Sequence, residues 1–277
     1  MLRRILATTL AIACLTLARP LAPVVLAEEE APESAVSSPP MEMDDPGTPG
    51  KRGIEVNFVG SHIRAGLGRS YESLLDANYG IGDRIQLKYE RPYVSEGESG
   101  SSFQHGLGAT EIGVKWRFID HNGLEIAAYP QYTFDDGFAI KDENNVPEPT
   151  EGRVGYLPLL FSKQIHEVYT GAMNLGYRRN FENLGDDVTM ALGGGRAIGE
   201  YQRVLLEVFS ERDTDLRNRQ TDVRLGYVWS MFPKTMEHSH YEVPMYASLG
   251  HSVGHTESGE LTTSFCFGIS IIRKPAE

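Results

Sequence analysis

The amino-acid sequence predicts an all-β fold: an antiparallel transmembrane β-barrel of about twelve strands. Three observations lead to it. Apolar and polar residues alternate with a period of two through most of the chain after residue 53, the connections between these stretches switch between tight and long, and aromatic residues gather near the stretch ends.

The chain opens differently. Met1-Leu2-Arg3-Arg4 is a short basic stretch, Ile5 to Ala18 is apolar, and Val25-Leu26-Ala27 offers a small-residue cleavage site before Glu28, so residues 1–27 read as a secretory signal peptide. Ala18 and Ala22 are competing cleavage points. Arg19 and Pro20 cut the apolar run below the roughly 20 residues of a spanning helix. Leu10 to Cys14 resembles a lipoprotein box only faintly, because the apolar run continues past Cys14. Residues 28–52, EEEAPESAVSSPPMEMDDPGTPGKR, are acidic, Pro-rich and poor in large apolar side chains, which predicts a disordered lead-in. Residues 53–277 are expected to form one domain, with order beginning near Ile54.

Signal removal would take Cys14 and leave Cys266 alone, so no intramolecular disulfide is expected. Loss of Arg3, Arg4 and Arg19, with no acid, takes the formal net charge from -12 to -15 (-12 minus 3), which argues against a nucleic-acid partner.

Within the domain, Ile85, Leu87 and Tyr89 oppose Gln86, Lys88 and Glu90, and Ile112, Val114, Trp116 and Phe118 oppose Glu111, Gly113, Lys115 and Arg117. The pattern returns around Leu124, Tyr169, Val188, Val204, Val223 and Leu261. A helix would mix the two sets; a strand keeps them on opposite faces. The predicted spans are 54–64, 71–80, 83–94, 108–119, 123–134, 153–163, 167–180, 187–197, 200–211, 219–231, 242–253 and 260–273, most of them close to the 9–11 residues of a tilted membrane-crossing strand. Connections after the second, fourth, sixth and eighth strands are tight (IGD, DHNG, IHE, GE), whereas those after the third and fifth are long and polar. FPKTMEHSHYE, after the tenth, breaks the scheme.

If the apolar parity faces lipid, the opposite parity lines a wet interior, and closure pairs every backbone group. A soluble sandwich would reverse the two faces. The aromatics Tyr71, Tyr79, Tyr93, Tyr132, Phe134, Tyr156, Phe181, Tyr201, Trp229 and Tyr241 resemble interfacial girdles and favour lipid outside. The lumen-lining candidates are then Lys88, Glu90, Glu111, Lys115, Arg117, Glu125, Arg178, Arg203, Glu207 and Arg224. Opposed charges among them either brace the wall or tune solute passage.

Other motifs carry less. Gly250-His251-Ser252-Val253-Gly254 matches a nucleophile elbow, but another alternating strand follows rather than a helix. His238 and His240 are expected at one rim and His251 and His255 at the other, too far apart for one metal site, and the KDENN stretch reads as solvated loop charge. No catalytic residue, cofactor or metal is expected.

DDPGTPGKRGIEVNF, YGIGDRIQLKYERPY and GLGATEIGVKWRFID together resemble the bacterial outer-membrane family associated with the MetA pathway of phenol degradation, over most of the chain beyond the signal. The most specific piece is the turn Gly80-Ile81-Gly82-Asp83 followed by the Gly-rich entry into EIGVKW. The resemblance implies a barrel in the bacterial outer membrane, with lipid around it, that passes small, often aromatic, molecules; it transfers no site residues. The functional expectation is a passive channel, with a closed structural or surface-interaction barrel as the alternative and an outer-membrane hydrolase behind both. Oligomeric state stays open.

Overall fold

The computed structural model describes residues 41–98, 100, 102–134, 152–182, 185–199, 201–230, 241–253 and 261–273. Among them, period-two alternation resolves into twelve consecutive strand positions. These are β1 (Ile54–Ala65), β2 (Gly68–Gly82), β3 (Ile85–Glu98), β4 (Gln104–Leu107 and Thr110–His121), β5 (Leu124–Ala128 and Gln131–Phe134) and β6 (Val154–His166). They continue as β7 (Tyr169–Asn180), β8 (Asp187–Gly199), β9 (Gln202–Asp213), β10 (Asn218–Ser230), β11 (Tyr241–Glu242 and Pro244–Ser252) and β12 (Thr262–Arg273). Each pairs antiparallel with its neighbours in sequence. The ring closes where β12 pairs with β1 from Ile54↔Arg273 to Ala65↔Thr262.

The tight connections follow from local chemistry. Asn122 and Gly123 join β4 to β5 with positive φ values of 50° and 68°, the type I′ geometry whose twist suits adjacent strands. Two residues also join β2 to β3, β6 to β7 and β8 to β9 on the same rim. FPKTMEHSHYE, which follows β10, lies outside the described residues apart from Tyr241 and Glu242.

Parity decides the two faces. Phe58, Leu87, Ile112, Trp116, Leu175, Leu192, Leu225 and Phe267 are exposed on the outside, whereas Glu55, Asn57, Gln86, Lys115, Glu207 and Ser270 are buried within the ring. Tyr71, Phe103, Tyr93, Tyr132 and Phe181 gather at the long-loop end, while Trp116, Phe118, Tyr227 and Trp229 gather at the other. One aromatic departs from the girdle expectation: Tyr156 faces inward, because it shares the parity of Pro158 and Leu160, and its hydroxyl meets Thr189 Oγ1 at 2.8 Å. Tyr201 sits in the β8–β9 turn rather than on a strand.

The interior is not wholly polar. Ala127, Tyr129 and Leu160 form a small buried cluster, and large inward rings rest on glycines of adjacent strands. A Cβ at Gly268 would collide with the Tyr246 ring and one at Gly176 with Tyr156, while one at Gly113 would come 3.1 Å from Tyr129. Leaning a ring over a bare backbone fills space that glycine leaves open.

The outer apolar band gives a direct test. Leu192, mid-strand on β8 and 56% exposed, has no lumen contact to lose. Leu192→Arg is expected to destabilise the barrel in lipid vesicles by about 2–4 kcal/mol, read from urea-induced unfolding; a cost near zero would mean that this face meets water.

Candidate functional site

The ten predicted lumen residues share the inward parity, and the structure sorts them into groups on different strands. On β3 and β4, Lys88 Nζ stands 2.7 Å from both Glu90 Oε2 and Glu111 Oε1, with Thr133 Oγ1 donating to Glu111 Oε2 at 3.3 Å. The Tyr129 ring lies beside this group, its centroid 4.7 Å from Lys115 Nζ and 5.9 Å from Lys88 Nζ. At the tight-turn rim, Arg117 pairs with Glu125, approaches Asp120 at 3.3 Å and donates to the Asp83 carbonyl at 3.0 Å. Arg178 sits 3.7 Å from Glu211 and over the Tyr156 ring. Lys88 to Glu111 and Arg117 to Glu125 tie neighbouring strands together, and Arg178 to Glu211 reaches across β8, the geometry of a braced wall.

A second polar group, built around Glu55 and Asp76, is absent from the sequence candidates. Asn57 Nδ2 donates to Glu55 Oε1 at 3.1 Å and to Asp76 Oδ2 at 2.8 Å, Asn78 Nδ2 donates to both Asp76 oxygens, and Gln86 Nε2 donates to Asn78 Oδ1 at 2.6 Å. Ser270 donates to Asn57 Oδ1 and carries the network from β12 through β1 and β2 to β3. The polar parity Glu55/Asn57 and Asp76/Asn78 was the available signal. These hydrogen bonds compensate the burial of the carboxylates and amides, with Gln86 Oε1 left without a partner.

The larger departure concerns the lead-in. Residues 28–40 lie outside the described residues, but residues 41–50 run inside the ring. Glu207 accepts hydrogen bonds from Glu42 N at 3.2 Å and Met43 N at 2.8 Å, and Arg224 Nη2 reaches Glu42 Oε1 at 2.5 Å. Asn174 donates to the Asp44 carbonyl at 3.1 Å, and Lys115 donates to the Asp45 carbonyl at 2.7 Å. Composition alone misjudged this stretch, since wall side chains hold its backbone rather than its side chains packing together. At the rim, Arg52 N donates to the Gly80 carbonyl at 2.8 Å, and Thr48 Oγ1 to the Asp83 carbonyl at 2.9 Å. Gly80 has to be glycine here, because a Cβ would collide with the Gly50 carbonyl.

Pro46 is fully buried, and Gly47 N donates to Asp45 Oδ1 at 2.6 Å in a tight local turn. Burial pushes the Asp45 carboxyl above the usual carboxylate range, with Lys115 the strongest opposing influence and Arg203 a weaker one. Of the two candidates on β9, Glu207 holds the segment by hydrogen bonds and Arg203 acts on it through its charge.

The other motifs resolve simply. Ser252 points inward and bonds Thr262, while His251 lies on the opposite face with Nδ1 3.0 Å from Thr263 Oγ1. His238, His240, His255 and the KDENN stretch lie outside the described residues, among which no metal-ligand cluster occurs. Cys266 is an inward-facing, half-buried free thiol.

No family model matches the chain, and no curated protein matches it. Solved structures do. An outer-membrane channel from Pseudomonas putida F1 aligns with a TM-score of 0.60 at 12% identity, covering 81% of this chain and 95% of that one. The NanC porin aligns at 0.55 and 9% identity over 78% and 98%, and the translocator domain of the autotransporter NalP from Neisseria meningitidis at 0.51 and 9% over 82% and 89%. The chain has the fold of bacterial outer-membrane barrels, in a closed, antiparallel, twelve-stranded form.

Lys88 tests the bracing. Lys88→Met leaves Glu90 and Glu111 without their shared cation and is expected to cost about 3 kcal/mol in urea-induced unfolding in vesicles. Adding Glu111→Gln should recover part of that loss, whereas strictly additive costs would mean that the three groups act separately.

Proposed function

We propose that this protein is a passive outer-membrane channel for small molecules that does no chemistry on its cargo. One observation carries the reading: a closed ring with an apolar outer band encloses a face of charged and amide side chains, the arrangement of a barrel that keeps lipid outside and a polar path within. The matched Pseudomonas putida protein is an outer-membrane channel and NanC is a porin, which supports the same class. The resemblance of the Gly80–Asp83 turn and EIGVKW to the phenol-degradation family points to small aromatic molecules as the solute class. Ser252 and His251, on opposite faces of β11, give no support to a hydrolase.

A closed structural barrel is the second reading. It draws on the inner segment, which occupies part of the lumen.

Planar-bilayer conductance of the folded chain, with and without benzoate, tests the proposal. Stable unitary steps are expected, with block by benzoate supporting the aromatic class; silence from protein shown to be folded and inserted would overturn the channel. The roles of individual cations separate in the same assay. Arg203→Gln should shift ion selectivity, because Arg203 faces the segment, whereas Arg117→Gln, which unlinks Glu125, should mainly lower stability. Equal selectivity shifts in the two variants would contradict that division.

A further inference from the structure

We infer that the outer face of β12, β1 and β2, at the long-loop end, binds one phosphorylated glycolipid of the surrounding leaflet, with a phosphate held between Arg64 and Arg69. The site lies on the lipid side of the wall and does not depend on whether the barrel conducts.

Two like charges stand side by side there. Arg64 on β1 and Arg69 on β2 are directly opposite in the register, on either side of the turn Gly66-Leu67. They share the parity of His62 and Tyr71, whose rings stack at 4.6 Å, and so face outward. Opposed residues of an antiparallel pair have Cβ atoms about 5 Å apart, so two cations there repel unless they share an anion. Elsewhere at this rim, Arg153 has Glu182 at 2.9 Å and Arg217 has Asp215 at 3.7 Å. Arg64 and Arg69 form no such pair among the described residues, and no described outward position of β11, β12, β1, β2 or β3 carries an acid.

Their height suits a lipid phosphate. Tyr71 belongs to the outward girdle with Phe103, and Arg69 lies two residues beyond it toward the long-loop end. On a strand tilted about 40°, two residues climb about 5 Å, from the aromatic belt into the headgroup layer. The register carries the polar row onward, from Arg64 to Thr263 on β12 and from Thr263 to His251 on β11, with Thr263 Oγ1 and His251 Nδ1 3.0 Å apart. Two guanidinium forks match the oxygens of one phosphate, and the hydroxyl beside them suits a sugar.

An apolar path below the row fits an acyl chain, which free phosphate lacks. Phe265 and Phe267 lie outward on β12, 50% and 40% exposed. Beside Phe267 the surface dips at Gly60, opposite Ser73: a Cβ on Gly60 would meet nothing nearer than the Phe267 carbonyl at 3.8 Å. A lipid seated here crosses the β12–β1 seam, so its binding also supports closure of the ring.

The test uses the full chain folded in a neutral detergent, with diphosphorylated lipid A as the probe and native mass spectrometry to count the lipid retained. One lipid A per barrel is expected. Arg64→Gln combined with Arg69→Gln should weaken its retention about tenfold, whereas Arg153→Gln, at an arginine that already has Glu182, should leave it within about twofold. Equal losses from Arg153→Gln would overturn the site, since any rim cation would then serve. Gly60→Leu should weaken retention severalfold, and excess inorganic phosphate should leave lipid A in place. Displacement by phosphate, or retention indifferent to Gly60→Leu, would overturn the lipid in favour of a free anion. Urea-induced unfolding in phosphatidylcholine vesicles separates binding from folding. Without lipid A the double variant should unfold at the same or a higher midpoint than the unmodified chain, because the repulsion is gone, and added lipid A should raise the midpoint of the unmodified chain alone. A lower midpoint for the double variant without lipid A would mean that the two arginines hold the hairpin rather than a lipid, and would overturn the inference.

Discussion

Closure of one backbone ladder governs the rest of this structure. In hydrocarbon, an unpaired N–H or C=O has no water to turn to, so a sheet can cross a bilayer only if its first strand finds its last. Here β1 and β12 pair along their whole length. Once the ring is closed, parity has a single meaning for all twelve strands, and each side chain belongs either to the outer surface or to the lumen. The outward girdles, the cross-strand ion pairs and the inner segment all follow from that division.

The interior shows how a narrow barrel manages polarity. Glu90, Glu111 and Lys88 form one charge group, while Glu55, Asn57, Asp76, Asn78, Gln86 and Ser270 form a network whose donors are amide nitrogens and a hydroxyl. In both, nearby donors meet the buried carboxylates. They differ in reach: the charge group joins two strands, whereas the amide network passes through four and spans the β12–β1 seam. The seam is thus supported by side chains as well as by its ladder.

Much of this was legible in the sequence. The strand spans expected at 83–94 and 108–119 emerge with the expected parity because alternation is a local property, set by the pleat and independent of neighbours. The Asp120–Gly123 turn is equally local. What stayed hidden depends on partners distant in the chain. Tyr156 looked like a girdle residue until Pro158 and Leu160 set its face, and residues 41–50 looked disordered because acidic, Pro-rich composition reports only on self-packing. Their order comes from Glu207, Asn174 and Lys115, residues 60 or more positions away in the chain, acting on backbone groups that every amino acid possesses. No pattern within the segment could announce that.

The ring-on-glycine pairs, Tyr246 with Gly268, Tyr156 with Gly176 and Tyr129 with Gly113, have a consequence for how such a barrel changes over evolutionary time. Strand number sets the girth of the cylinder, and altering it means adding or losing a whole hairpin. Tyrosines leaning over bare backbone set the aperture separately. Exchanging one of these rings for a smaller side chain would widen the passage locally while every ladder hydrogen bond stayed in register, so the calibre can drift by single substitutions on a frame that stays constant.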